Sequence, residues 1–346
     1  MAIELRTLSD GGQPAEATAR ALADFLAAAQ TSLEIAIYDL HLPPDLNALA
    51  CGALVDAAAR GVAVRLAYNV DHARNAPVPP PPRTDPEAVE ALPFPTAAIP
   101  GVPDLMHHKY VVRDGASVWT GSTNWTADSW TREENVIVTV DSPELAVLYG
   151  NDFEQLWSTR EVGGSGRVDT APLRIGDVQA RAWFCPGHGD KLAHRIAKAI
   201  GSARRRIRIA SPVISSAPVL GTLAQVASDG KVDLAGVVDA TQVREVLQQW
   251  RENRNADWKE PLLRAALTRA PFSGKPSTPY APGSVHDYMH AKVAVADDVL
   301  FVGSFNLSHS GEQNAENVLE LADAALAERV AAFVDEVRGR YPDVSL

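Results

Sequence analysis

The chain has 346 residues, 46% of them apolar, an ordinary globular composition sufficient for one large core or two modest ones. A net charge of −11 excludes general adhesion to polyanions and leaves room only for a local basic groove. Cys51 and Cys185 lack the spacing of a zinc site or redox pair, which excludes a disulfide framework and a thiolate metal cluster.

The opening residues, MAIELRTLSDGG, lack the basic-then-apolar order of a secretory leader, and no apolar run approaches the roughly 18–20 residues that cross a bilayer. The expectation is a cytoplasmic protein. An alanine-rich helical stretch, AEATARALADFLAAAQ, then leads into the strand-like LEIAIYDL (33–40), and after another helical stretch comes a second strand, GVAVRLAYNVD (61–71). The proline-rich APVPPPPRTDPEAVEALPFP (76–95) reads as a stiff loop crossing the surface. A histidine-containing hairpin follows, and SPELAVLYGNDFEQLW (142–157) closes the half as a helix.

The same order then repeats. KLAHRIAKAIGSA leads into IRIASPVI (207–214), GKVDLAGVVD (230–239) supplies the second strand, and LADAALAERVAAFVDEVRGR (321–340) closes the half. The polar, glycine-rich STREVGGSGRVDT (158–170) is the expected linker between halves at 1–160 and 171–346. Alternating helices and strands predict an α/β sandwich in each half.

The inserts differ. Residues 240–285 interleave basic and aromatic side chains, and Trp250, Arg251, Arg254 and Trp258 suit stacking on bases combined with phosphate contact, a candidate substrate groove. A solvated helix with core tryptophans is the plainer reading.

Each hairpin carries H-x-K-x4-D: His107, Lys109 and Asp114 in one half, His290, Lys292 and Asp297 in the other. Side chains alternate along a strand, so His107 and Lys109 share one face and His108 lies on the other. His107, not His108, is therefore the partner of His290. After the turn comes G-S-x-N in both halves, giving Ser122 and Asn124, then Ser304 and Asn306. Ten residues beyond each asparagine stands Glu-Asn, Glu134-Asn135 and Glu316-Asn317. Two copies with matching polar positions are far more specific than one.

On these motifs the sequence resembles the phospholipase D superfamily, its hairpins most like the bacterial endonuclease branch. The resemblance implies two halves about a pseudo-twofold axis with one active site at their interface, complete without a partner chain. It makes His107 the expected nucleophile, forming a phosphohistidine, and His290 the general acid and then base. It also places Glu134 and Glu316 as carboxylates that accept the far ring proton of a histidine.

The chemistry is consistent with this. A phosphodiester has anionic oxygens and a poor alkoxide leaving group, so one imidazole must attack while another protonates the departing oxygen. The residues alone leave the order of the two histidines open. Lys109, Lys292, Ser122, Asn124, Ser304 and Asn306 are suited to holding the phosphoryl oxygens as charge grows, which makes a metal or other cofactor unnecessary. Asp114 and Asp297 sit where the strand turns and read as structural.

Nucleic acid is the favoured substrate. The alternative is a phospholipase D or transphosphatidylase, with Phe94, Trp119, Trp125, Trp130 and the proline-rich loop as an apolar rim at a membrane interface. A second alternative is a non-catalytic subunit of a larger assembly, such as a defence system.

Overall fold

The computed structural model describes residues 3–72, 78–254 and 256–346. Each half is built on one mixed sheet. Across the first sheet the strands lie in the order Ile3–Leu8, Asn135–Asp141, Ser117–Gly121, Lys109–Arg113, Ser32–Ile37, Ala63–Val70 and Thr96–Pro100. Across the second they lie in the order Val178–Cys185, Glu316–Ala322, Val299–Gly303, Val293–Ala296, Arg206–Ala210, Asp233–Asp239 and Phe272–Lys275. The two orders match position for position. Among the described residues, Leu173–Ile175, added beyond Val178–Cys185, and the short pair Leu40–His41 and Trp125–Thr126 of the first half have no counterpart.

In both halves the last three strands run parallel, and a parallel pair requires a crossover too long for a hairpin. The helices Pro44–Ala59 and Ala217–Asp229 provide it. The closing helices Pro143–Thr159 and Ala324–Arg340 begin at Ser142 and Asp323, whose side chains accept from the backbone N–H of Leu145 and Leu326. Their apolar stripes, Leu145, Tyr149, Phe153 and Leu156 with Val330, Val334 and Val337, join one continuous core with the inner faces of both sheets. The outer faces pack against separate helical layers.

The stretch read as a linker is packed, with Val162 and Val168 in the shared core and Ser165 fully buried. The proline-rich segment does more than cross the surface. Residues 76 and 77 lie outside the described residues, but Tyr38 donates its hydroxyl to the Pro80 carbonyl, and Asp39 accepts from the Arg83 backbone N–H, tying the segment to the C-terminal end of the strand Ser32–Ile37. Among the described residues, no helix is long and apolar enough to cross a membrane.

The turn aspartates hold the hairpins in place. Asp114 and Asp297 adopt left-handed backbone, φ 56° and 53°. Asp114 accepts from the backbone N–H groups of Gln30, Thr31 and Ser32, and Asp297 from those of Arg204, Arg205 and Arg206. Each carboxylate thus caps the entry to the strand beside its own hairpin. Partial burial pushes both carboxyls up, but these three bonds outweigh it and leave both below the usual value. Stability from a depressed carboxyl is present above its unfolded pKa and is lost as pH falls through the folded one. Asp114→Asn and Asp297→Asn are each expected to lower unfolding free energy by about 1–3 kcal/mol, since the bonds are charge-assisted. The loss should shrink in acid, as urea titrations at pH 7 and pH 3 will show.

Candidate active site

Two short parallel bridges join the halves immediately before the histidines, Met106 to Ala315 and Met289 to Glu134. They are related by the pseudo-twofold axis, and they carry His107 and His290 into one narrow crevice with Asn124, Asn306, Tyr38, Asp39, Gln242, His286 and Tyr288. His107 is fully buried and His290 nearly so. His107 Nε2 and the Oδ1 atoms of Asn124 and Asn306 are buried without a protein partner, which is the state of groups that await a ligand.

Each imidazole is held from the opposite half. Nδ1 of His107 lies 2.8 Å from Glu316 Oε1. Nδ1 of His290 lies 3.0 Å from Asn135 Oδ1 and 3.2 Å from Glu133 Oε2. Opposite the amide oxygen of Asn135 and the ionised form of Glu316, both acceptors, the ring proton belongs on Nδ1, which leaves the Nε2 lone pair free. His108 lies on the other face, as alternation requires, with Nδ1 3.2 Å from Asn317 Oδ1 and Nε2 3.1 Å from Asp152 Oδ2.

The expected pairing of Glu134 with a histidine is corrected. Gly121 pairs with Ile137 and Gly303 with Val318, so the structural counterpart of Glu316 is Asn135. The glycines give the same register independently: a Cβ on Gly121 would meet the Val136 carbonyl, and one on Gly303 the Asn317 carbonyl. The first half therefore has one more residue between G-S-x-N and its strand, and a one-residue slip moves a side chain to the opposite face. Glu134 faces away, where it is 2.9 Å from Lys275 Nζ and accepts from the Tyr341 hydroxyl. Glu133, not singled out in the sequence, and Asn135, noted there only as the neighbour of Glu134, take its place.

The serines are corrected as well. Ser122 Oγ donates to Asn135 Oδ1 at 2.6 Å and accepts from Val136 N, and Ser304 bonds Asn317 N and Glu316. Neither lines the crevice. They position the groups that orient the histidines.

Lys109 and Lys292 lie behind the crevice lining, each donating to the backbone carbonyl of the histidine in its own motif, so their charge reaches the crevice from beneath the histidines. Lys109 also sits 4.8 Å from the Tyr38 ring centre. Burial pushes both imidazoles well below their usual value, with the charges of both lysines adding to it, so both are neutral. Burial also depresses Lys109, to about 7, against the pull of Glu316, and raises Glu316 to about 8 and Glu133 to about 7. An entering phosphate anion reverses the penalty on the lysines. A falling limb in kcat/KM is therefore expected as pH rises through about 7, with the kcat limb at higher pH because the bound diester holds the Lys109 proton. Profiles with an activated diester test this, and a kcat/KM flat from pH 6 to 9 removes the Lys109 charge from binding.

Beside the crevice, and sharing Pro79 and Asn306 with it, lies a cavity of about 490 Å³ that includes Val213, Trp250, Trp258 and Lys259. Of the residues expected to form a groove, Trp250 and Trp258 line this cavity, and Arg251 and Arg254 do not. Arg251 is paired with Glu260 at 2.6 Å on the surface. The expected apolar rim is absent, because Phe94, Trp119, Trp125 and Trp130 are buried in the outer core of the first half.

The chain matches the family model described as "Cardiolipin synthase, PLD-like domain" over residues 22–157 and 196–338. It is 43% identical over 53 residues to the mitochondrial cardiolipin hydrolase of Xenopus laevis, a match spanning 15% of this chain and 25% of that protein. Its fold is similar to that of the Haemophilus influenzae phosphatidylserine synthase, with a TM-score of 0.68, 12% identity, and coverage of 98% of this chain and 86% of that one. It also resembles the Porphyromonas gingivalis polyphosphate kinase, with a TM-score of 0.57, 11% identity, and coverage of 96% of this chain and 50% of that one. The repeated sheet order, the histidine at the same place in each half and the two-segment family match agree: the chain is a member of the phospholipase D superfamily.

Proposed function

We propose that the protein is a phosphodiesterase that works without a metal, through a phosphohistidine on His107. The supporting observation is the pair of neutral imidazoles in one crevice, each with its proton fixed on Nδ1 from the opposite half. His290 takes up a second proton, on Nε2, as the anionic diester enters; His107 Nε2 then attacks phosphorus while His290 Nε2–H protonates the leaving oxygen, and the neutral His290 left behind takes the proton of the attacking water or acceptor alcohol. Lys109, Lys292, Asn124 and Asn306 balance the charge on the phosphoryl oxygens. As His107 becomes a cationic imidazolium in the adduct, the ionised form of Glu316 gains a counter-charge. That is where its burial is compensated.

For the substrate, the lining shifts the balance from polynucleotide toward a phospholipid headgroup diester. The groove arginines on which the nucleic-acid expectation rested do not reach the cavity, whose walls combine an apolar side, Val78, Pro79, Val213, Val246 and Trp250, with a polar one that includes Ser215, Gln249, Asn253 and Ser308. The lipid names of the family model and of the hydrolase and synthase relatives point the same way. Single-stranded nucleic acid is the second reading, favoured by Trp258, which is 54% exposed with Lys259 Nζ 5.6 Å from its ring.

A turnover panel in EDTA tests both levels: phosphatidylglycerol and phosphatidylcholine micelles, single-stranded DNA, duplex DNA and RNA. The expected outcome is cleavage unaffected by chelation and faster on a lipid. Activity lost in EDTA and restored by Mg²⁺ or Mn²⁺ would reject the mechanism, and cleavage of nucleic acid alone would reverse the substrate preference.

A further inference from the structure

Residues 286, 288, 290 and 292 fall at spacing two along HDYMHAK, and His286 and Tyr288 reach the same crevice as His290. His286 is 6% exposed and Tyr288 3%. Their rings pack 5.2 Å apart, and His286 Nε2 and Tyr288 Oη are both buried without a protein partner. Gln242, also buried, lines the crevice beside them. None of these three has a role in the phosphoryl chemistry.

We propose that His286, Tyr288 and Gln242 form a subsite for a neutral, hydroxyl-bearing alcohol, the group that leaves from or is transferred to the phosphoryl centre on the His290 side. This rests on the phosphodiesterase reading and assigns the substrate class at that same site. Placement carries the first step. His286 and Tyr288 are on His290's own segment, so the group they touch is the one His290 protonates on departure and deprotonates on arrival. The corresponding positions before His107 are Pro103 and Leu105, which offer no side-chain hydrogen bond. The discrimination is therefore one-sided, toward the alcohol and not toward the part of the substrate retained on His107.

Charge carries the second step. Burial and the nearby Arg83 hold His286 neutral, at about 4, and Tyr288 and Gln242 are uncharged donors and acceptors. The two carboxylates in the crevice already have partners: Glu133 accepts from Ser129 and Asn135, and Asp39 from the Arg83 backbone and Thr84. Lys109 occupies a face of Tyr38 that a quaternary ammonium would need. A quaternary ammonium headgroup, like an apolar one, offers no hydrogen bond and leaves the two buried polar atoms of His286 and Tyr288 unmet. A carbon skeleton with a second hydroxyl near the ester oxygen, as in glycerol or ribose, satisfies both.

The test measures kcat/KM on two matched pairs, phosphatidylglycerol against phosphatidylpropanol and an oligoribonucleotide against its deoxy counterpart. Bis(p-nitrophenyl) phosphate serves as a diester that lacks the hydroxyl. Wild-type enzyme should favour the hydroxyl-bearing member of one pair by on the order of 10²-fold, and that pair identifies glycerol or ribose as the source. Tyr288→Phe and His286→Gln should each cut the ratio by about tenfold, and because the readout is a ratio, losses common to both members cancel. A wild-type ratio near one on both pairs, or a ratio unchanged in both variants at wild-type melting temperature, overturns the subsite. So does turnover of bis(p-nitrophenyl) phosphate with none of either pair. No turnover of any diester overturns the phosphodiesterase reading, and the subsite with it.

Discussion

His107→Ala is expected to abolish turnover, by on the order of 10⁴-fold or more, and to leave no covalent adduct, because the nitrogen that makes the phosphoenzyme is gone. His290→Ala should be nearly as inactive on an alkyl diester, whose alkoxide cannot leave unprotonated. On bis(p-nitrophenyl) phosphate the two should separate. p-Nitrophenolate departs with little proton donation, so His290→Ala completes the first step, and an acid-labile, base-stable phosphohistidine accumulates when hydrolysis lacks its base. The asymmetry of the site supports this order: His107 faces the carboxylate of Glu316 directly, whereas the nearest group to His290 is the amide of Asn135, with Glu133 behind it. A directly placed carboxylate best stabilises the cationic ring of a covalent adduct. The double variant should be barely worse than either single one, since the pair acts as a unit. Rapid-quench trapping with peptide mapping decides it. An adduct on His290 in His107→Ala reverses the assignment, and wild-type rates in both variants remove the covalent mechanism.

Much of the fold was legible because it is written twice. The matched strands LEIAI and IRIAS, the closing helices and the two H-x-K-x4-D hairpins identify equivalent positions in both sheets, and strand alternation alone separated His107 from His108. The structural role of the turn aspartates was legible from their place at the turn, but their partners were not, since these are backbone N–H groups 82–84 residues earlier for Asp114 and 91–93 residues earlier for Asp297. What was not legible depends on register and on distant chain. Aligning Glu134-Asn135 with Glu316-Asn317 by identity missed the extra residue that ladder pairing reveals, and so chose the wrong glutamate. Arg251 looked available for phosphate until Glu260, nine residues on, was found beside it. The tryptophans after His107 looked like a rim because burial by Ala15–Ala27 and Pro44–Ala59 is a tertiary fact. His286 and Tyr288 had a signal that went unused, the continuation of the spacing-two pattern upstream of His290.

The register correction has the second large consequence, a separation of two glutamates that the sequence treats alike. Glu316→Gln should reduce kcat by about 10²–10⁴-fold with little change in melting temperature, because the amide can still fill the space beside His107 but cannot stabilise a cationic ring, and it can present its N–H₂ and select the wrong tautomer. Glu134→Gln should do the reverse. Glu134 is fully buried against Lys275, itself 3% exposed, so neutralising it leaves the ammonium, among the described residues, with Asp10 at 3.3 Å as its remaining ion-pair partner. Removing one partner of a buried pair typically costs about 3 kcal/mol or more, while kcat per folded molecule should stay near wild type. Thermal melts alongside turnover of bis(p-nitrophenyl) phosphate distinguish the cases. If Glu134→Gln lowers kcat as severely as Glu316→Gln at unchanged stability, the one-residue offset between the halves is wrong; if Glu316→Gln unfolds the protein without a rate effect at permissive temperature, Glu316 is a structural acid and His107 is oriented by something else. Glu133→Gln provides the internal control, since it removes the charge behind His290 while Asn135 still accepts from the ring. Its loss should be smaller than that of Glu316→Gln and should fall mainly on alkyl diesters, where His290 must hold a proton, and hardly on the p-nitrophenyl ester, where it need not.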